Sequence, residues 1–291
     1  MAANTRDIRR RIKSVKNTSQ ITKAMQMVAA SKMRKAQMRA LSGRPYAEEL
    51  AKILAALAQA GGSEELHPLL QERKEVKREL VLVITTDKGL CGALNTNLLR
   101  ELNQFDPAKT TFVAIGRKGA QYLGRLKRDL AAEFELKETF TFLECKQASK
   151  FCIEKFVSGD VDKVTVAFTD FKSTLRQEPT LKVILPVQNF DLADIHGTKT
   201  EAVASATDYL FEPSASGVLE HLVPHYVHFA VYQMVLESRA SEHSARMVAM
   251  KNATDNAKQL IKDLTLEYNK VRQAGITTEL LEITTAQMAL G

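Results

Sequence analysis

Apolar residues recur at both ends of the chain in alternating steps of four and three. From Leu222 the series runs through Tyr226, Phe229, Gln233, Leu236, Ala240, His243, Met247, Met250, Thr254, Ala257, Ile261, Leu264, Tyr268 and Val271. Twelve of these fifteen positions are apolar, at the mean spacing of about 3.5 residues that winds helices into a left-handed coiled coil. The opening of the chain repeats the pattern with Ile8, Ile12, Val15, Ser19, Thr22, Gln26, Ala29, Met33, Ala36 and Ala40, and a second row, Ile21, Met25 and Val28, lies beside it. Residues 1–42 and 225–274 contain neither Gly nor Pro, which cost about 1 and about 3 kcal/mol relative to Ala inside a helix. At about 1.5 Å per residue, 225–290 can extend for about 100 Å, longer than a globular domain needs. Two terminal helices paired as an antiparallel coiled coil are expected, rather than two amphipathic helices laid on a core.

The middle changes period. Leu80–Thr85 is a continuous apolar run, followed by a loop over Thr86–Ala93 and a helical stretch near Asn95–Phe105. Phe112–Ile115 reads as a second strand, then a Gly116–Gly119 turn and a helix over Ala120–Leu130; Cys145–Val157 reads as a third helix and Lys163–Phe168 as a third strand. Leu181–Val187 is a further edge or return strand, and 189–208 a loop leading back to the long helix. Strands alternating with helices predict a small, mostly parallel sheet. The fold class is therefore α/β, a long antiparallel coiled coil of the N- and C-terminal helices with a central α/β sheet domain. The expected segments are 1–60, 76–208 and 209–291.

Charge sharpens this picture. The chain carries a net +7, yet residues 1–44 hold twelve Lys/Arg against one acid, Asp7, which is +11 and leaves −4 for the rest. A basic, acid-poor start also fits a targeting peptide, but its strong helical patterning favours a structural helix. Binding of nucleic acid is disfavoured because residues 1–45 contain no aromatic side chain on which bases stack. Most of these cations are read as a solvated face, and their one-sidedness favours an acidic partner. No apolar run approaches the roughly 18–20 residues that cross a bilayer. The three cysteines, Cys91, Cys145 and Cys152, form no CxxC pair, and their odd number suggests a reducing compartment. Cys145 and Cys152 are expected as buried thiols on one helix face.

No motif offers an active site. The loop TTDKGLCGALN after the first strand matches neither GxGxxG nor GxxxxGK[ST] and is read as a tight surface turn. His221, His225 and His228 have the spacing to share a helix face and attract a metal. Pro224 interrupts them and no carboxylate or thiolate completes a set, so zinc is disfavoured. No cofactor, no metal and no small-molecule substrate are expected.

Several longer stretches resemble one family. IRRRIKSVKNTSQITKAMQMVAASKMRKAQ (Ile8–Gln37), RPYAE (Arg44–Glu48), TTDKGLCGALN (Thr85–Asn95), YLFEP (Tyr209–Pro213), SARMVAMKNATDNA (Ser244–Ala257) and YNKVRQAGITTELLEI (Tyr268–Ile283) are similar to gamma subunits of bacterial F-type ATP synthases. The family's C-terminal signature continues with Gly-Ala, where this chain has Ala286 and Gln287, a departure that bears on the packing of the last turn. The histidine cluster lies outside the family pattern. The cysteine-bearing insertion of chloroplast members is absent, so thiol control of rotation is not implied.

The resemblance implies a non-catalytic rotor shaft that couples proton flow through a membrane ring to ATP synthesis or hydrolysis elsewhere. Its implied partners are a ring of alpha and beta subunits, the epsilon subunit and the ring of c subunits. It implies a peripheral location on the cytoplasmic face of the bacterial plasma membrane. Residue by residue, it places Met25 in the stretch facing an acidic loop of the beta subunits, with Lys23 near it. It matches Arg272 and Gln273 to a polar catch on the C-terminal helix and Lys88 to a second catch in the GLCG loop. The near-uncharged tip, Ile276–Gly291, is implied to sit in an apolar sleeve. The alternatives that the residues leave open are a nucleic-acid-binding coiled coil and a nucleotide-using α/β enzyme.

Overall fold

Glycine and proline set the first break. In the computed structural model, which describes residues 2–60, 67–73, 75–187, 212 and 214–290, α1 (Ala2–Ser42) stops before Gly43 and α2 (Arg44–Ala60) starts with Pro45 in its first turn. Proline is tolerated there because the first-turn N–H has no helical partner. The expected first segment, 1–60, a shaft helix in that reading, is thus two helices. A Cβ on Gly43 would lie 2.0 Å from Gln233 Nε2, so a larger residue there would have to move the end of that side chain.

The sheet domain follows as β1 (Glu79–Ile84), α3 (Leu94–Glu101), β2 (Thr110–Ile115), α4 (Arg117–Arg125) and β3 (Leu130–Phe134). It continues with α5 (Phe142–Val157), β4 (Lys163–Phe171) and β5 (Gln177–Leu185), and α6 (Ala215–Leu290) closes the chain. The strand order is β3-β2-β1-β4-β5, parallel throughout except for the antiparallel β4–β5 pair. Two expectations change here. The helix expected over Ala120–Leu130 ends at Arg125, and Leu130–Phe134 is an edge strand. Its sequence, LAAEF, has helix-forming residues, but Leu130, Ala132 and Phe134 alternate with exposed Ala131 and Glu133, the period of a half-buried strand. The turn expected at Gly116–Gly119 is instead the start of α4. The loop expected over 189–208 lies outside the described residues.

Packing groups the residues into two units, 31–245 and 1–30 with 246–291, a division that falls inside both α1 and α6. In the first, the sheet is covered on both faces. One face sets Leu80, Leu82, Ile84, Val113, Ile115, Val164, Val166 and Phe168 against α2, α5 and the Val223–Leu236 stretch of α6. The other sets Val81, Val83, Phe112 and Ala114 against Leu98 and Leu99 of α3 and Leu123 of α4. Each such aliphatic or aromatic side chain contributes about 1.5–3 kcal/mol by leaving water. Covering both faces is what a parallel sheet requires, and it explains the unbroken apolar run of β1.

In the other unit, the heptad positions meet as expected. Ile8, Thr22 and Ala29 on α1 are buried, as are Met250, Thr254, Ala257 and Leu264 on α6. The pairing is antiparallel: Thr22 Oγ1 lies 2.8 Å from Thr254 Oγ1, and the Arg9 guanidinium hydrogen-bonds the Tyr268 hydroxyl. Small seam residues let the helices approach closely. The second row stays open, with Ile21 and Val28 exposed and Met25 half-buried. This register runs out near residue 275 of α6, where α1 begins. Beyond it Ile276, Leu280, Leu281, Ile283 and Met288 are exposed. Ala286 and Gln287 continue the helix and are also exposed. No helix among the described residues is long and apolar enough to cross a membrane.

On α5, Thr141 and Glu144 form a reciprocal capping box, and Cys145 and Cys152 point from one face into the core, each fully buried. Burial pushes both thiols up to about 12. The thiolate is the reactive form. Neither cysteine should therefore react with an alkylating reagent near pH 8 until the chain unfolds, as mass spectrometry of labelled peptides can read. Labelling of either in the native chain at the denatured rate would contradict this burial.

Candidate functional site

In open α/β sheets, ligands bind beyond the carboxyl ends of the strands where the strand order reverses. Here that point lies between β1 and β4, because the chain runs outward from β1 through β2 and β3 and returns to β4. The crevice is filled by the protein itself. Thr169, near the end of β4, donates its N–H to Ser238 Oγ at 3.2 Å and accepts from Ser241 Oγ at 3.2 Å. Ser244 Oγ donates to the Thr174 carbonyl at 2.8 Å. Three serines at every third position thus carry α6 along β4 and the turn that follows.

The β1 side is closed by ions. Arg239 donates to Asp87 Oδ2 at 3.2 Å, Glu242 Oε2 at 2.9 Å and the Leu136 carbonyl at 3.0 Å. Burial works against the Arg239 charge, but Glu242 and Asp87 outweigh it and hold its pKa above the usual arginine value. Asp87 also accepts the Arg117 N–H at 3.2 Å at the start of α4, the position where a helix N-terminus would otherwise favour an anion. A phosphate would have to displace the protein's own carboxylate there.

The loop between β1 and α3 is held by its own side chains. Asn95 donates to Thr86 Oγ1 at 2.7 Å, and Thr86 Oγ1 donates to the Lys88 carbonyl at 2.7 Å. Gly116 is required against it: its φ is +96°, and a Cβ would lie 2.3 Å from the Thr85 carbonyl oxygen. Lys88 and Leu90 form the exposed crown, with Leu90 at φ +62°. A bulky residue in that left-handed region is strained, and such strain concentrates at functional loops.

The comparisons with known proteins agree. A sequence model for a family described as ATP synthase matches residues 4–290. The ATP synthase gamma chain of Opitutus terrae is 52% identical, covering 99% of both chains, and that of Methylacidiphilum infernorum is 50% identical, covering 99% of this chain and all of the relative. The chain belongs to the ATP synthase gamma-chain family. A chain of the Tetrahymena thermophila mitochondrial ATP synthase central stalk is similar at 27% identity with a TM-score of 0.59, covering 80% of this chain and 99% of that one. A chain of the Euglena gracilis mitochondrial ATP synthase has the same fold at 22% identity with a TM-score of 0.71, covering all of this chain and 95% of that one.

Of the residues singled out from sequence, Lys23 and Met25 lie on α1, and Arg272 and Gln273 lie on α6. Lys23 is exposed and donates to Gln26 Oε1 at 3.2 Å; Arg272 and Gln273 are exposed. The Arg9–Tyr268 pair sets Arg272 level with the start of α1, about 30 Å along that helix from Met25 at 1.5 Å per residue. The two pairs therefore lie far apart on the helices. Lys88 belongs to the sheet unit. Sequence reasoning missed Arg239 and its serine neighbours. The signal was present as SRASEHS, where Ser238, Ser241 and Ser244 recur at every third position in a run that is polar but for Ala240.

Two of the three clustered histidines are taken up by protein contacts. His225 Nε2 lies 2.7 Å from the Tyr46 hydroxyl and His228 Nδ1 lies 2.7 Å from Ser149 Oγ. Among the described residues no group of His, Cys, Asp or Glu is arranged to hold a metal. Burial, with smaller contributions from Lys146, His225 and Lys150, lowers the His228 pKa from 6.5 to about 4. The unfolded chain then takes up the proton first, so stability is full above about 6.5 and falls as pH drops towards 4. The loss should be roughly 1–3 kcal/mol. Urea titrations between pH 7 and 4.5 should show this slope flattened in His228→Gln; an unchanged slope would assign it to other groups.

Proposed function

We propose that this chain is the central rotor shaft of a proton-translocating F-type ATP synthase. It couples proton flow through a ring of c subunits to ATP synthesis or hydrolysis in a ring of alpha and beta subunits, and it also meets the epsilon subunit. The observation that carries the reading is α6. One continuous helix fills the ligand crevice of the sheet with Ser238–Ser244 and ends in an exposed apolar tip from Ile276 to Met288. A chain built this way has a place for partners at its tip and none for a nucleotide in its crevice, which supports a subunit without catalysis of its own. In this reading 1–60 and 209–291 supply the shaft and 76–208 the foot, and the subunit works as a peripheral protein on the cytoplasmic face of the bacterial inner membrane.

Physics explains what such a shaft does. One asymmetric rotor cannot match a threefold ring, so each beta subunit meets a different face. Turning it changes which conformation each site prefers, which is a coupling free energy between distant sites. The contacts assigned to Lys23, Met25, Lys88, Arg272 and Gln273 are exposed or half-exposed ones, worth about 0–1 kcal/mol each where they are ion pairs. Weak contacts suit a bearing that must not lock in one orientation.

Co-purification of the alpha and beta subunits with this chain from its native cell tests the assembly, and the isolated chain should bind no ATP measurably. Met25 tests the mechanism. Its side chain is unbranched, uncharged and soft, so it can slide past an acidic loop. Met25→Lys adds a charge worth about 1 kcal/mol when paired at a partly exposed site, which deepens some rotary wells and not others. Assembly should survive while ATP-driven proton pumping falls more than hydrolysis, and Met25→Leu should stay near wild type. Equal losses of both activities, or the same defect in Met25→Leu, would reduce Met25 to packing.

A further inference from the structure

Arg239 joins three parts of the sheet unit that the chain separates widely. Asp87 belongs to the loop that carries Lys88, Leu136 to the segment after β3, and Glu242 to α6 itself. The Arg239 side chain is 12% exposed and that of Glu242 is 6% exposed. The planar guanidinium can satisfy three acceptors at fixed angles, whereas an ammonium acts as a compact point charge. Asp87 extends the connection to α4 through the Arg117 N–H. The Ser238, Ser241 and Ser244 contacts add a second row of directional bonds between the same part of α6 and the end of β4.

Elsewhere in this unit α6 meets the sheet through apolar side chains such as Val223, Val227, Val231 and Val235. Apolar contact is non-directional and proportional to area, so it fixes the rotation of a helix less sharply than bonds that depend on angle. Hydrogen-bonded ion pairs at low exposure are such bonds, because each depends steeply on distance and angle. His225 and His228 bond α6 to Tyr46 of α2 and Ser149 of α5, and residues 238–244 add the directional bonds that tie it to the end of β4 and to the Lys88 loop.

We propose that Arg239, with Asp87 and Glu242, is a torque clamp: a positioning residue that fixes α6 against rotation relative to the sheet and to the Lys88 loop, so that turning the foot turns the shaft without slip. This rests on the rotor reading given above. No group in the cluster touches nucleotide. Its role is to keep rotation and chemistry in step under load.

The test uses the whole complex in membrane vesicles, comparing ATP-driven proton pumping with ATP hydrolysis in the same preparation. Arg239→Met alone takes the cation away from two carboxylates at low exposure and endangers folding. The informative variants are the neutral triple D87N/R239M/E242Q, which removes the three charges together, and R239K, which keeps the charge but loses the fork. The pumping-to-hydrolysis ratio should fall by roughly threefold to tenfold in the neutral triple, the range in which residues along a coupling network act. R239K should fall by a smaller factor, and its ratio should drop further as an opposing proton gradient is raised. A variant that only weakened folding would lower assembled complex and both activities together, leaving the ratio alone. A wild-type ratio in R239K under load, or in an assembled neutral triple, overturns the clamp. If wild-type vesicles containing this chain show no ATP-driven pumping, the rotor reading itself fails, and the two outcomes are distinguished.

Discussion

α6 is a single helix of 76 residues, and a continuous helix fixes the angular position of every side chain on it at about 100° per residue. Within each packing unit, everything that it touches must agree with that rotation. Along its length the demand changes: apolar packing against the sheet from Val223 to Leu236, hydrogen bonds and ions over Ser238–Ser244, a two-helix seam from Met247 to Val271, and exposed apolar residues beyond Ile276. Each stretch can be read only in its own terms. Averaged over the whole helix, the pattern disappears.

The crevice at the strand-order reversal shows how a fold and a function come apart. A parallel sheet with helices on both faces offers the usual place for a nucleotide, and folds alone do not settle what such a place holds. Here Asp87 occupies the start of α4 and Arg239 occupies the space beside it. Buried ion clusters are a poor source of stability, because the cost of stripping water from charges offsets their attraction. Their strength is geometric, and a cluster that fixes the rotation of a helix uses that strength.

The seam between α1 and α6 follows the same economy of directional contacts. Ile8, Leu264 and the alanines supply burial, while Thr22–Thr254 and Arg9–Tyr268 define which residue faces which. A polar pair inside a seam is satisfied in one register and broken in the neighbouring ones. The exposed row beside it, Ile21 and Val28, is then available to a partner without disturbing the pairing.

How much of this was legible in the sequence depended on the range of the interaction. Heptad spacing gave both long helices and their antiparallel pairing, and the absence of Gly and Pro gave the extent of α1, because helix geometry is local; α6 runs on through Pro224 and Gly275, which bound its run free of Gly and Pro. The unbroken apolar run of β1 gave a strand buried on both faces, and the stretches from Ile8 to Gln37 and from Tyr268 to Ile283 carried the family resemblance. β3 escaped because Ala131, Ala132 and Glu133 have helical propensity, and only the neighbouring strand makes their alternation matter. The break at Gly43 follows from Gly43 and Pro45 themselves, but the approach of Gln233 of α6 to it is visible in neither segment. The role of Asp87 was hidden for the same reason: a carboxylate in a turn looks like a solvated residue until Arg239, 152 positions later, is folded against it. Sequence determined the elements with short-range periodicity; the tertiary structure decided which charges would meet, because a pairing between distant residues leaves no period in either segment.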